Sequence, residues 1–157
     1  MRRVVIMQGL TGAGKTTLVK ALYPETDNVV CSADKFFEST PWNPRLLDQA
    51  HDECWDTFSS AIQANASRIV VDNTNLKFVD YEPYILEALD ADYSVVFFTV
   101  LCPPQIAARR SKHWRQLRKQ DPTKFFEKHD ALLNPPKLPP SNQITVVRLW
   151  SEIPESP

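Results

Sequence analysis

Glycine occurs at only three positions of this 157-residue chain, and all three fall between residues 9 and 14. The segment reads Gly9-Leu10-Thr11-Gly12-Ala13-Gly14-Lys15-Thr16, which fits the phosphate-loop pattern G-x-x-x-x-G-K-[S/T]. A loop that wraps a phosphate must turn back on itself with some residues at positive φ. It must also bring backbone N–H groups up to oxygens without a Cβ in the way. The residues expected to bind nucleotide are therefore Gly9, Thr11, Gly12, Ala13, Gly14, Lys15, Thr16 and Thr17. Lys15 reaches the β- and γ-phosphates, and the Thr16 hydroxyl is placed for Mg²⁺. Thr17 supports the following helix rather than the metal.

The flanking residues suit this loop. Arg3–Gln8 is a short β-branched run, read as a buried strand, and Thr16–Leu22 reads as a helix that stops before Pro24. A helix N-terminus facing the loop adds partial positive charge. Strands and helices then alternate. Asn28–Ser32 and Arg68–Asp72 are predicted strands, and Tyr93–Leu101, the longest apolar run, is predicted as a central one. Gln143–Leu149 is the last strand. A helix is expected from an Asn43-Pro44 start to about Asn65, with Leu47, Ala50, Cys54, Phe58 and Ala61 on one stripe. Another is expected over Val79–Leu89, provided Pro83 sits in its first turn. Two more cover roughly Pro104–Lys119 and Pro122–Leu133, the latter capped by Asp121. This order implies an α/β fold, a parallel sheet covered on both faces.

The length suits one domain over residues 1–157, with a lid at about 103–133 inside it. No run of 18 apolar residues is present, and the first strand leaves no room for a signal peptide. Cys31, Cys54 and Cys102 are odd in number and widely spaced, as expected of free thiols in a reducing cytoplasm. His51, His113 and His129 show no zinc-ligand spacing. The net charge is −1, yet Arg109, Arg110, Lys112, Arg115, Arg118 and Lys119 cluster with no acid among them. An acidic body with one basic segment has one place where anions are wanted.

Two acids fall at strand ends. Asp34 follows the second strand in Ser32-Ala33-Asp34-Lys35-Phe36-Phe37, and ligands of open parallel sheets bind beyond the strands' carboxyl ends. There it could orient an acceptor hydroxyl and take its proton; a turn or cap role is the alternative. Asp72 ends the third strand in Val71-Asp72-Asn73-Thr74-Asn75-Leu76. It could bind Mg²⁺ through water or brace Asp34. Phe36 and Phe37 could stack on a base or belong to the core.

Together, Gly9–Thr16, Ser32–Phe37, Trp42-Asn43-Pro44 with Ala50-His51, and Val71–Leu76 make the chain resemble the polynucleotide-kinase branch of P-loop kinases. The resemblance covers about residues 3–118. It implies a P-loop kinase core, a short parallel sheet of about five strands with helices on both faces and a helical lid. It also implies ATP, Mg²⁺ and a hydroxyl acceptor. It assigns the general base to Asp34, the loop lysine to Lys15, the Mg²⁺ hydroxyl to Thr16, an essential strand-end acid to Asp72, and a phosphate-contacting lid arginine to Arg109 or Arg110. Phe37 stands where phage-type polynucleotide kinases carry an acceptor-binding arginine, and Trp114 stands where a glycine often follows the lid histidine. The expected activity is transfer of the γ-phosphate of ATP to a hydroxyl of a nucleic acid or nucleotide, with DNA favoured over RNA. The hydroxyl could be a 5′-end or belong to a hydroxymethyl-pyrimidine. A small-molecule or nucleoside kinase and a non-catalytic nucleotide switch are the other readings. The expected location is the cytoplasm, with no membrane partner.

Overall fold

The computed structural model describes residues 1–111 and 123–151. Its apolar runs form β1 (Arg3–Gln8), β2 (Val29–Cys31), β3 (Arg68–Asp72), β4 (Ser94–Leu101) and β5 (Ile144–Trp150). All neighbouring strands run parallel, in the order β2-β3-β1-β4-β5. The helices are α1 (Lys15–Leu22), α2 (Phe36–Ser39), α3 (Leu47–Gln63), α4 (Phe78–Asp90), α5 (Pro104–Arg110) and α6 (Thr123–Leu133).

Strand side chains alternate between faces, so each strand feeds two cores. Val4, Ile6, Ile69, Val71, Val95 and Phe97 meet Cys54 and Phe58 of α3 and Ile85 of α4 on one side. Val5, Met7, Val70 and Val100 meet Val19 of α1, Ala107 of α5, and Phe125 and Leu132 of α6 on the other. Burying a side chain of this size contributes ~1.5–3 kcal/mol relative to exposure.

This strand order positions the site. The chain leaves β1 through α1 toward β2, and leaves β3 through α4 toward β4 on the far side of β1. The two connections diverge and open a crevice at the strand ends. Met7 is paired in register with Asp72, so the glycine loop starts beside the end of β3.

Two local expectations need correction. Pro83 lies in the second turn of α4, not the first. Its missing N–H leaves the Val79 carbonyl without a helical donor, and Val79 is 73 % exposed, so water can serve instead. Asn43 caps a 3₁₀ turn, Pro44–Leu46, before α3 begins; its Oδ1 accepts from the Arg45 N–H at 3.0 Å. β4, the longest apolar run, is an interior strand as expected, paired on both edges by β1 and β5. The expected extension of α5 to Lys119 and the Asp121 cap lie outside the described residues. Among the described residues, Cys31, Cys54 and Cys102 are buried, and no helix is long and apolar enough to cross a membrane.

Candidate active site

The glycine loop is held by its neighbours as much as by its own geometry. Gly12 has φ +83°, and a Cβ there would stand 2.4 Å from the Ala107 carbonyl oxygen of α5. Only glycine fits both the left-handed backbone and the close approach. Gly12→Ala is expected to cost ~1–3 kcal/mol from backbone strain alone, and to push α5 off the loop. A thermal melt should show a drop of several degrees; an unchanged melt would mean the loop relaxes freely.

α1 begins at Lys15, and its N-cap, Gly14, offers no side chain to the helix N–H groups. The first turn contains no acid. The helix therefore presents uncompensated positive potential to the loop. Lys15 is 8 % exposed, and its Nζ donates to the Leu10 carbonyl at 3.1 Å. Burial pushes its ammonium below the ordinary range, while Asp72 and Asp34 pull it back up. Burial likewise pushes the Asp72 carboxyl up, opposed by Lys15 and by the Thr16 hydroxyl, which donates to Asp72 Oδ2 at 3.2 Å. The charge of Asp34 adds to that rise. Asp34 itself is exposed, on the 3₁₀ turn Ala33–Lys35 just past β2, and its N–H donates to the Ser32 hydroxyl at 3.2 Å. Residues from three strand ends thus share one electrostatic neighbourhood.

The Asp72-Asn73-Thr74-Asn75 segment ties these strand ends together, a role its composition does not reveal. Asn73 Oδ1 accepts from the Ala33 N–H at 2.9 Å, tying the Asp34 turn to β3. Asn75, buried at φ 47°, donates to the Met7 carbonyl at 2.7 Å. Gln8 is buried between sheet and loop. Its Nε2 donates to the Asn75 carbonyl at 3.0 Å, and its Oε1 accepts from the Thr99 hydroxyl at 2.8 Å. The Gly9 N–H donates to the Thr74 carbonyl at 3.1 Å. Ser151, just past β5, donates from its hydroxyl to the Ala13 carbonyl of the loop. A single serine near the end of the sequence carries no motif, so only the fold places it here. A polar Gln8 at the end of an apolar strand is the one sequence signal among these.

Of the expected lid arginines, Arg110 reaches the loop: its Nη1 lies 3.9 Å from the position a Gly14 Cβ would take. Arg109 is exposed on the same turn of α5. Lys112, His113, Trp114, Arg115, Arg118 and Lys119 lie outside the described residues. Thr11 is half-buried in the loop, Ala13 is buried, and Thr17 is exposed on α1. Phe36 and Phe37 are neither core nor free-standing. Both are half-buried, with ring centroids 5.0 Å apart, and Phe37 packs on Trp42 at 4.8 Å.

The residues present suit a nucleoside polyphosphate with a hard cation. A buried ammonium and an acid-free helix N-terminus match phosphate oxygens, and a hydroxyl next to a carboxylate matches Mg²⁺. A family model described as an AAA domain, AAA_33, matches residues 4–133. The chain belongs to this AAA_33 family. Among curated proteins, human NEDD4-binding protein 2 is 26 % identical over 141 residues, 85 % of this chain. The chain spans only 8 % of that protein's length. Among solved structures, a Chloroflexus aurantiacus protein provisionally designated a kinase gives a TM-score of 0.67 at 18 % identity, over 94 % of this chain and 88 % of that one. A chain of the Pnkp1/Rnl/Hen1 RNA repair complex gives 0.62 at 15 %, over 84 % and 44 %. A gluconokinase from Sinorhizobium meliloti 1021 gives 0.57 at 17 %, over 98 % and 86 %. These likenesses show the fold: an AAA_33 domain with the α/β architecture of P-loop kinases, a fold associated with a nucleotide and usually Mg²⁺.

Proposed function

We propose that this AAA_33 domain is an ATP-dependent kinase that phosphorylates a hydroxyl at the end of a nucleic acid. One observation carries the kinase reading. A second carboxylate, Asp34, follows the end of β2, and the neighbouring Ala33 N–H donates to Asn73 beside Asp72, so acids from two different strands stand at one edge of the sheet. A nucleotide switch needs an acid near the metal; transfer to a hydroxyl also needs a group to orient the acceptor and accept its proton.

In this reading the loop N–H groups, Lys15 and the start of α1 bind the β- and γ-phosphates. Thr16 and Asp72 would hold Mg²⁺, which supplies charge neutralisation at the phosphate oxygens. Asp34 orients the acceptor hydroxyl and takes its proton as the new O–P bond forms and the bond to the β-phosphate oxygen breaks, leaving ADP. Arg110 faces the transferring group from α5, where a guanidinium can stabilise the charge that builds on the phosphoryl oxygens.

The nucleic-acid acceptor is supported by the resemblance of Ser32–Phe37 and Val71–Leu76 to polynucleotide-kinase segments and by the Phe36, Phe37 and Trp42 rings just after Asp34. The fold shared with a chain of an RNA repair complex is consistent with it. The fold shared with a gluconokinase makes a small-molecule acceptor the second reading. Transfer of labelled γ-phosphate to a panel tests this. The panel holds 5′-hydroxyl DNA, 5′-hydroxyl RNA, hydroxymethyl-pyrimidine DNA, free nucleosides and gluconate. Label at the 5′-hydroxyl ends supports the proposal and reports its DNA or RNA preference; label on the hydroxymethyl-pyrimidine moves the acceptor from the end to a base, and label only in gluconate or nucleosides overturns the nucleic-acid acceptor.

The lid yields a separate expectation. Arg110→Gln should lower kcat by ~10²-fold or more with little change in ATP affinity, and Arg109→Gln should have the smaller effect. A guanidinium that meets the γ-phosphoryl group mainly in the transition state shows in rate rather than binding. Equal effects of the two substitutions on single-turnover transfer would reject this assignment.

A further inference from the structure

A cavity of about 270 Å³ lies beside the Asp34 turn, between α2 and α3. Ser32 and Lys35, which flank Asp34 within three residues of chain, both line it. Asp34 itself is not part of the lining; it sits between these two residues on the same 3₁₀ turn and is exposed. Its lining includes the buried Val30 and Cys54, the half-buried Phe36 and the exposed Glu53. The volume is below the ~300–1,000 Å³ of sites for drug-sized ligands, so it suits one small ring system.

The charge of the lining narrows the occupant. Lys35 is the cation among the lining residues, and its Nζ already donates to the Val30 carbonyl at 2.7 Å and pairs with Glu25 at 2.5 Å. Glu53 is left as the exposed charge. A phosphate or sugar-acid carboxylate would meet repulsion there. A neutral heteroaromatic ring would find the Phe36 side chain as an apolar wall, and hydrogen-bond partners in Glu53 and Ser39 at its edge.

We infer that this cavity holds the nucleobase of the terminal nucleoside whose 5′-hydroxyl is phosphorylated. The inference rests on the kinase reading above and narrows its acceptor to a strand end with an unpaired base. The recognised group is neutral, so the Asp34 side of the site selects nucleosides over anionic metabolites.

The test compares two 5′-hydroxyl oligonucleotides of equal length, one intact and one abasic at its terminal residue. The wild-type protein should show a KM higher by roughly tenfold or more for the abasic end, the scale of base–aromatic stacking. Ser39→Trp, at the exposed end of α2, fills the cavity without touching the phosphate site. It should raise KM for the intact end to the abasic value, and leave the abasic KM and ATP affinity unchanged. Thr57→Trp, on the α3 side, serves the same purpose if Ser39→Trp fails to fold by thermal melt. Equal KM for the two oligonucleotides in the wild type, or unchanged KM for the intact end in a folded filled-cavity variant, overturns the inference. Absence of transfer to any 5′-hydroxyl end is a different failure: it removes the polynucleotide-end reading, and this inference with it.

Discussion

Lys15→Ala is expected to slow phosphoryl transfer by ~10²–10³-fold, because preorganised charge at a developing oxyanion typically contributes ~3–4 kcal/mol. The lysine stands at the start of α1, buried beside Asp72, where the β,γ-bridge of a bound nucleotide would gain charge. The fold should survive the change. A buried ammonium is a desolvation cost, and burial is the dominant cause of its lowered pKa. That lowered pKa also sets a pH signature. The unfolded chain holds the lysine proton up to about pH 10.5, while the folded chain releases it earlier. Wild-type stability should therefore gain a contribution from Lys15 as pH rises from the lowered folded value toward 10.5, and Lys15→Ala should lose that contribution. Transfer within tenfold of wild type would mean that this loop is not the catalytic phosphate site.

Asp34→Asn is expected to retain ATP binding and to lose transfer by ~10²–10⁴-fold, the usual contribution of a general base. The amide keeps the shape and the backbone bond to Ser32 but cannot take the acceptor's proton. The 3₁₀ turn that carries it is capped by Ser32 and tied to Asn73, neither of which the substitution touches. ATP affinity measured by calorimetry separates the two effects. A variant with normal affinity and near-normal transfer would rule Asp34 out and direct attention to Asp72.

Much of the fold and the residues of the candidate site are legible in the chain itself. Three glycines in one loop, between a β-branched strand and a helix, fit one local geometry, and that geometry is set by short-range sterics. Strand ends are legible for a similar reason. In a parallel sheet buried on both faces, an apolar run stops where the chain leaves the apolar layers, so the acids that close such runs, as in Val71-Asp72 and Cys31-Ser32-Ala33-Asp34, mark the sheet's carboxyl edge.

Contacts between distant segments are not legible this way. Whether Arg109 or Arg110 faces the loop depends on how α5 packs against Gly12, a contact nearly a hundred residues away in sequence. Pro83 is tolerated in the second turn of α4 because the carbonyl it leaves unpaired belongs to an exposed residue, and exposure is a property of the packed molecule. The Asn73, Asn75, Gln8 and Ser151 bonds join the ends of all five strands, which only the order β2-β3-β1-β4-β5 brings side by side. Local patterns determine the elements and the chemistry each can offer, because backbone sterics and burial act over a few residues. Which of those groups stand next to one another is decided by tertiary packing, because the hydrogen bonds and electrostatic fields that join them act across space rather than along the chain.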